Sequence, residues 1–322
     1  MNSLLCTARA ATSILATALI AAGCAELPSR IAPAGEEPHT RTGTLERPRV
    51  ALVLSGGSLR GFAHLGVLKV LDAHSIRPDL IVGTSAGSIA GGLYASGANM
   101  AELIQAARKV DFDLGSALFS RGESPVHAFV EANLRTKRIE DFPIRFAAVA
   151  ADFQRGCLAL FNGGDAAVAV QASTAVPGVF APTRIGSRDY ADGGLVSPLP
   201  VRAARALGAQ RIIAVNVTFD PRESKLTSII DRLFQTTLVM TRTLALAEGR
   251  EADVLIEPAL PPEAEVTLAN RDALIAAGER AATAALPRIR ALLAEPYGTL
   301  SAIPDDPRAC QPRADTQVAA LH

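Results

Sequence analysis

The chain has few cysteines, few histidines and no excess of either charge. Its 322 residues include four cysteines and five histidines, and 32 basic residues balance 32 acidic ones. Balanced charge argues against a nucleic-acid-binding surface, and a hydrophobic content of 49% argues against a disordered chain. Four cysteines are too few for a disulfide framework in a chain of this length. The composition therefore predicts a globular domain with a well-buried core.

Long apolar runs are also scarce, and the one near the N-terminus, Ile14–Ala22, is too short to indicate a membrane span. Arg9 is the only charge before it, so residues 1–23 have the layout of a secretory signal peptide. The stretch ends in Ala21–Cys24, which resembles a bacterial lipobox with alanine where leucine is usual. We predict a lipoprotein signal peptide with Cys24 as the lipidated first residue. An ordinary signal peptide cut nearby and an uncleaved anchor are the alternatives.

This processing divides the chain into segments. Residues 24–48 are rich in proline, glycine and charge and predict a flexible tether, and residues 296–322 predict a loose C-terminal tail. Residues 49–295 form the expected catalytic domain. We expect an exported protein, an outer-membrane lipoprotein facing the periplasm or the surface, with a soluble periplasmic or secreted protein as the alternative. Whether the remaining Cys157 and Cys310 form a single bridge stays open.

Apolar runs alternate with helical patterns from residue 50 onward. The strand candidates are residues 50–55, 80–82, 146–150, 158–161, 211–217 and 254–256, and the helical patterns cover 62–72, 86–95, 226–244 and 271–293. This alternation predicts an α/β fold with a largely parallel sheet. The apolar stripe of 226–244 is expected to pack on the core, with a lipid-facing role as the alternative.

A serine stands at a predicted corner between a strand and a helix. Residues Gly83–Gly87 have the pattern G-x-S-x-G, directly after an apolar run. Such a turn holds the serine in a strained conformation, and Gly83 and Gly87 avoid a collision of the backbone there. The N-terminus of the following helix favours developing negative charge. We therefore predict that Ser85 is a nucleophile in an elbow formed by Gly83 and Gly87.

A glycine loop, Gly56–Gly61, lies between the first predicted strand and helix, where its N–H groups can bind an anion. A phosphate-binding Walker loop requires Lys and then Ser or Thr after Gly61, but Phe62 and Ala63 follow. A dinucleotide fingerprint requires glycine where Ser58 stands. Both nucleotide interpretations fail, so the loop predicts an oxyanion hole.

The serine needs a base, and the order of residues disfavours histidine. An ordinary α/β-hydrolase has its histidine after the acid in the chain, and the only histidine after Asp192 is His322 in the predicted tail. His64 is expected to be packed or capping rather than catalytic. Asp192 is followed by Gly193 and Gly194, which permit close approach of another loop. A serine–aspartate dyad fits this arrangement, and a plain turn at Asp192 is the alternative.

Four blocks of the sequence together resemble the patatin-like phospholipases in their order and approximate spacing. They are Gly56–Leu68, Gly83–Gly87, Ala172–Pro177 with Phe180 and Pro182, and Asp192–Gly194. The resemblance covers residues 50 to about 217 and continues more weakly to about 295. It implies a three-layer α/β/α sandwich with a largely parallel central sheet, in which a Ser–Asp dyad hydrolyses acyl esters of lipids without a metal or another cofactor.

The same resemblance implies a role for each matching residue. Ser85 would be the nucleophile and Asp192 the base, with Gly193 and Gly194 in the base loop. The oxyanion hole would be formed by Gly56, Gly57, Ser58, Leu59, Arg60 and Gly61, with Gly57, Ser58 and Leu59 as the donors. Ser58 stands where the family has a third glycine, which costs about 1 kcal/mol if φ is positive there. Arg60 is expected to fix the loop, with lipid phosphate binding as the alternative.

The expected function is a serine acyl hydrolase of the phospholipase A or lysophospholipase type, which cleaves fatty-acyl esters of membrane lipids through an acyl-enzyme. Nucleic acids and nucleotides are not expected partners. Two alternatives remain. One is a lipid-binding or assembly protein that keeps the fold without turnover, and the other is an esterase or thioesterase for small soluble acyl compounds.

Overall fold

The structure is a computed structural model that describes residues 30–31, 37–41, 49–110, 124–223, 229–262, 266–297, 306 and 308–310. Nine strands of this part of the chain form one sheet. They are β1 (Arg30–Ile31), β2 (Val50–Leu54), β3 (Leu80–Thr84), β4 (Arg145–Asp152), β5 (Cys157–Phe161), β6 (Thr183–Ile185), β7 (Arg188–Asp192), β8 (Arg211–Val215) and β9 (Val254–Ile256). All six strands predicted from apolar runs are present.

Helices cover the sheet and connect its strands. The α-helices are α1 (Phe62–Ala73), α2 (Ala86–Ala95), α3 (Met100–Arg108), α4 (Pro125–Asn133), α5 (Ala166–Ser173), α6 (Val201–Ala206), α7 (Ile229–Gly249) and α8 (Arg271–Ala294). Short 3₁₀ helices at Ser58–Gly61 and Gly193–Leu195 stand at two of the predicted functional loops. The first of these loops follows β2, and the second follows β7.

Alternate residues of the central strands enter two different hydrophobic cores. Leu52 and Leu54 of β2 pack in a core completed by α1, α2, α5 and α8, whereas Ala51 and Val53 pack in a core completed by α6 and by Ala245 of α7. Because successive side chains of a strand point to opposite faces, the sheet must lie between two layers of helices. The predicted three-layer α/β/α sandwich is thus confirmed.

The sheet is parallel at its centre and antiparallel near one end. Strands β4, β3, β2, β8 and β9 run parallel to one another, whereas β7 is antiparallel to both β4 and β6, and β5 is antiparallel to β4. Strands β6 and β7 are not among the strands predicted from apolar runs. Strand β6 has three residues and β7 begins with Arg188 and Asp189, so neither forms a continuous apolar run.

Described residues of the segments 24–48 and 296–322 contact the sheet. Strand β1 pairs with β6, and the N–H of His39 donates to the Gly163 carbonyl at 2.9 Å. At the other end, Cys310 forms a disulfide with Cys157. Residues 1–23 and Cys24 lie outside the described residues.

Helix α7 packs on the core only in part. Ala245 and Glu248 near its C-terminal end are buried, but Phe234 and Met240 are 40% and 60% exposed. The expectation that its apolar stripe packs on the core is therefore met only towards the end of the helix. No helix in the described part of the chain combines the length and the hydropathy that a membrane crossing requires.

Candidate active site

Strands β3 and β7 meet end to end beside β4. Strand β5 pairs with Ala148–Asp152 on one edge of β4, so β3 and β7 must share the other edge. They run in opposite directions and end at neighbouring positions, with Thr84 of β3 paired to Val149 and Asp192 of β7 paired to Ala150. Ser85, the residue after Thr84, therefore leaves the sheet at the point where Asp192 ends its strand.

Ser85 occupies the strained turn that the G-x-S-x-G pattern predicts. Its backbone has φ 51° and ψ −123°, and it is the residue before the first turn of α2. A Cβ at Gly83 would lie 2.5 Å from the Gly87 carbonyl oxygen, and one at Gly87 would lie 2.2 Å from the Leu54 carbonyl oxygen. Neither space admits a side chain, so both glycines are required for this corner.

The C-terminal end of α5 holds the two strand ends in place. The N–H of Ser85 donates to Ser173 Oγ at 2.9 Å, and this hydroxyl donates to the Val149 carbonyl at 2.6 Å. The N–H of Asp192 donates to the Ala175 carbonyl at 2.9 Å. Neither Ser173 nor Ala175 is among the site residues predicted from the sequence. The available signal was their place in the family block Ala172–Pro177.

Asp192 is a buried carboxylate with one oxygen fixed and one oxygen unpaired. Oδ1 accepts a hydrogen bond from the Gly194 N–H at 2.7 Å, whereas Oδ2 is buried and accepts none from the described residues. Burial raises the pKa of Asp192 to about 6, against the opposing effects of the Ser85 hydroxyl and the Gly194 N–H. Asp192 is thus ionised at neutral pH and is a stronger base than a solvated aspartate.

Ser85 and Asp192 interact without a well-aligned hydrogen bond. The Ser85 hydroxyl is close enough to lower the pKa of the Asp192 carboxyl, yet it does not satisfy Oδ2. In enzymes without substrate such hydrogen bonds are often long and tighten only in the substrate complex. The Asp192 loop also approaches the neighbouring strands closely, since a Cβ at Gly193 would lie 2.2 Å from the Val149 carbonyl oxygen.

The glycine loop packs directly against the serine corner. A Cβ at Gly56 would lie 3.3 Å from Ser85 Cβ, and one at Gly61 would lie 2.6 Å from Ala86 Cβ. The N–H of Gly56 donates to the Pro198 carbonyl, and the N–H of Arg60 donates to the Gly57 carbonyl, each at 3.0 Å. These two groups are therefore already occupied.

The N–H groups predicted as donors of the oxyanion hole are those of Gly57, Ser58 and Leu59, and the occupied groups of Gly56 and Arg60 are not among them. Ser58 has a positive φ of 51°, so a serine at this position is strained.

Two other side chains beside the loop have structural partners. The Arg60 guanidinium donates to the Thr218 and Pro261 carbonyls at 3.3 and 3.0 Å and lies 4.4 Å from the centre of the Phe219 ring. It holds the loop to the segments after β8 and β9, as the structural interpretation expects. His64 Nε2 lies 2.9 Å from the Ser55 carbonyl oxygen, and burial lowers the pKa of His64 to about 4. His64 is therefore neutral and engaged away from Ser85.

An apolar cavity of about 170 Å³ leads away from Ser85. Ser58 and Ser85 lie at one end, and the cavity passes between α2, α3 and α4. Its walls are apolar side chains, among them Leu65, Ile89, Leu93, Leu103, Val126 and Phe129. At the far end, Leu93, Leu103 and Ala106 separate the cavity from a groove that α3 and α4 form on the other side. The arrangement suits an extended apolar group whose reactive end reaches Ser85.

The family model of the patatin-like phospholipases matches residues 52–205, from within β2 to α6. The match includes the glycine loop, Ser85 and Asp192. Residues 52–205 are a patatin-like phospholipase domain. The patatin-like domain thus contains both strand ends that meet beside β4.

Curated proteins are similar to this chain over about half of its length. An NTE family protein of Mycobacterium tuberculosis is 35% identical over 178 residues, which are 53% of this chain and 49% of the relative. The lysophospholipase NTE1 of Candida albicans is 33% identical over 191 residues, which are 54% of this chain and 13% of the relative. The chain therefore spans about half the length of the mycobacterial relative and a small part of the fungal one.

Solved structures show a weaker likeness. VipD from Legionella pneumophila has a TM-score of 0.42 and 13% identity, covering 82% of this chain and 72% of its own. ExoU from Pseudomonas aeruginosa, solved with SpcU, has a TM-score of 0.41 and 15% identity, covering 84% and 60%. Both TM-scores are below 0.5, so these structures carry no argument about this chain. Its architecture is described from its own strand order and layers.

Proposed function

We propose that this protein is a serine acyl hydrolase that cleaves fatty-acyl esters of phospholipids or lysophospholipids, with Ser85 as nucleophile and Asp192 as base. One observation carries the proposal. The buried, unpaired Oδ2 of Asp192 belongs to a carboxyl that interacts with Ser85, at the mouth of an apolar cavity. Among the described residues, the Ser85 hydroxyl is therefore the group that can give a proton to Asp192 Oδ2.

In the acylation step, Ser85 Oγ attacks the carbonyl carbon of the ester while its proton passes to Asp192 Oδ2. The carbonyl oxygen becomes an oxyanion that accepts hydrogen bonds from the N–H groups of the glycine loop. Loss of one such donor typically costs about 3 kcal/mol of transition-state stabilisation. The bond between the carbonyl carbon and the ester oxygen then breaks. The leaving alcohol takes the proton from Asp192, and an acyl-enzyme remains on Ser85.

In the second step, water replaces the leaving alcohol. The water oxygen attacks the acyl carbon while Asp192 accepts a proton from the water. The same N–H groups of the glycine loop stabilise the second oxyanion. The bond to Ser85 Oγ breaks, and the proton returns from Asp192 to Ser85. The products are a fatty acid and the regenerated serine.

The cavity and the relatives support a lipid as the substrate. Burial of each methylene group of an acyl chain contributes about 0.8 kcal/mol, so a cavity lined by apolar side chains favours long acyl groups. The Candida albicans relative is named a lysophospholipase. A head group would remain at the mouth, where Ser58 and Ser85 lie.

Covalent labelling provides the direct test. A fluorophosphonate probe is expected to label the wild-type protein at Ser85 and not to label Ser85→Ala. The same two proteins are then compared on vesicles of defined phospholipids and lysophospholipids and on short-chain soluble esters. Absence of labelling would favour a lipid-binding protein without turnover. Labelling together with hydrolysis of only the soluble esters would favour an esterase for small compounds.

Export to an oxidising compartment and lipidation at Cys24 are also part of the proposal. The Cys157–Cys310 disulfide supports export, because such bonds persist outside the reducing cytosol. A lipid anchor would hold the site near its substrate and raise the local substrate concentration. The test is incorporation of labelled palmitate by cells that express the chain. Incorporation is expected in the wild type and not in Cys24→Ser.

A further inference from the structure

The C-terminal strap, defined as Asp306 and Arg308–Cys310, lies alongside β5, where Ala309 forms a parallel bridge with Leu158. The Leu158 N–H donates to the Arg308 carbonyl at 2.7 Å, and the Cys310 N–H donates to the Leu158 carbonyl at 2.9 Å. The Cys157–Cys310 bond joins positions that are 153 residues apart. These contacts fix the backbone of Arg308 beside the sheet.

The Arg308 side chain reaches from the strap to the base loop, which we define as Gly193–Ser197. Its Nη1 donates to the Val196 carbonyl at 2.9 Å, and its Nη2 donates to Glu248 Oε1 at 2.6 Å. The Glu248 side chain is 1% exposed, and burial raises its pKa despite the guanidinium beside it. A buried carboxylate without a partner is costly, so Arg308 keeps Glu248 ordered in this position.

Glu248 in turn restrains Ser197 through a hydrogen bond. Ser197 Oγ donates to Glu248 Oε1 at 2.9 Å. The backbone of Ser197 then contacts both halves of the site: its N–H donates to the Gly193 carbonyl at 2.8 Å, and its carbonyl accepts from Thr84 Oγ1 at 2.8 Å. Gly193 follows the proposed base, and Thr84 precedes the proposed nucleophile. Ser197 thus joins the two strand ends that carry the dyad.

We propose that Arg308 is a positioning residue for the Ser85–Asp192 dyad, held in place by the Cys157–Cys310 disulfide. The inference rests on the proposed function and adds a requirement to it. The site is complete only when the C-terminal strap is bound. Arg308 touches neither the dyad nor the cavity, so its loss should lower kcat and leave KM for an acyl ester nearly unchanged.

The first experiment compares Arg308→Gln and Arg308→Lys with a matched control in the full chain. Arg202→Gln is the control, because Arg202 pairs with Glu251 on the same side of the sheet but does not contact the base loop. Arg308→Gln is expected to lower kcat for a nitrophenyl ester about tenfold, with KM and the control within about twofold of wild type. Arg308→Lys should recover part of the loss, since it keeps the charge beside Glu248. Wild-type kcat in Arg308→Gln would overturn the proposal.

Hydrogen exchange separates this inference from the proposed function. Amides of Gly193–Ser197 are expected to exchange faster in Arg308→Gln than in wild type and in Arg202→Gln, whether or not the protein hydrolyses an ester. If wild type is inactive but this difference is found, the proposed function fails and the restraint by the strap stands. If wild type is active and exchange is unchanged, the restraint by the strap is refuted.

Two further proteins guard against simple unfolding and test the disulfide. Asp306 is also buried and paired with Arg308, so the folding control is Glu248→Gln/Asp306→Asn/Arg308→Gln, which leaves neither carboxylate without its partner. This variant should fold, and its kcat should remain low because the Val196 carbonyl has lost its donor. Reduction of the wild type should lower kcat as Arg308→Gln does. Cys157→Ser/Cys310→Ser should start low and not respond to the reductant. A wild type that stays fully active after its thiols are shown to be free would overturn the role of the disulfide.

Discussion

Ser58 and Ser85 have the same backbone φ of 51° and stand at the same end of the apolar cavity. A positive φ is unfavourable for a residue with a side chain and costs on the order of 1–3 kcal/mol. At Ser85 the strain belongs to the elbow that presents the hydroxyl. At Ser58 it follows from a serine standing where the family has a glycine, so the two positions should respond differently to substitution.

Ser58→Gly should raise the free energy of unfolding by up to about 1 kcal/mol and leave ester turnover within about twofold of wild type. The strain is relieved and the backbone N–H stays, although glycine adds entropy to the unfolded chain. Ser75→Gly is the control, because Ser75 has a φ of 56° and lies away from the cavity. Urea unfolding and a nitrophenyl ester assay measure both effects. A large loss of turnover in Ser58→Gly alone would show that the serine side chain has a role.

Ser85→Ala and Asp192→Asn should each abolish hydrolysis while the fold persists. The first removes the attacking oxygen, and the second removes the acceptor of its proton. Circular dichroism and thermal unfolding verify the fold, and a sensitive ester assay measures residual turnover. Near-normal turnover in Asp192→Asn would exclude Asp192 as the base.

The pH profile of kcat/KM should fall on the acid side with an apparent pKa of about 6, because protonated Asp192 cannot accept the serine proton. Below that value the rate should drop about tenfold per pH unit. The measurement uses a neutral ester, so that only the enzyme titrates. An acid limb near pH 4, the value of a solvated carboxyl, would contradict the buried environment of Asp192.

The same group should make the fold less stable as the pH rises from about 4 to 6. Burial raises the pKa of folded Asp192 from 3.8 to about 6, so the unfolded chain loses its proton first and unfolding becomes easier across this window. The loss is at most about 3 kcal/mol. Asp192→Asn should therefore be more stable than wild type at about pH 8, with the difference shrinking towards pH 4. Urea unfolding at both pH values tests this, and a difference that is independent of pH would contradict it.

Ala106→Leu should shift the preference of the enzyme towards shorter acyl groups. Ala106 lies in the wall at the far end of the cavity, so a larger side chain there would exclude about two methylene groups and lower the relative kcat/KM for long chains about tenfold. Ala101→Leu is the matched control, because Ala101 is exposed on the same helix. A series of nitrophenyl esters of increasing chain length measures the preference. Equal effects of both variants would refute the assignment of this wall.

The sequence predicted the parts of the site that depend on local geometry. Gly83 and Gly87 are needed because backbone atoms occupy the space where their side chains would be. The five-residue pattern G-x-S-x-G is enough to predict this requirement. The parallel strands at the sheet centre were predictable because they are buried on both faces and read as continuous apolar runs. Asp192 was identified through the family blocks, since an aspartate before two glycines is also a common turn.

The contacts between distant segments could not be predicted in this way. The end-to-end meeting of β3 and β7 depends on which edge of β4 each strand occupies, and nothing local to either strand specifies that choice. Ser173 lies in the family block Ala172–Pro177, but that block does not specify that its hydroxyl contacts Ser85 and Val149. Glu248 and Arg308 are 60 residues apart, and no local pattern around either residue indicates that the two side chains pair.

The disulfide imposes an order on the maturation of the protein. Cys310 is synthesised after every strand of the described sheet, so the bond to Cys157 closes only after all of those strands have been made. A newly made chain in a reducing cytosol would have the sheet and the serine corner but an unfastened C-terminus. Under the proposed function and the proposed role of Arg308, such a precursor would turn over esters about tenfold more slowly than the oxidised protein.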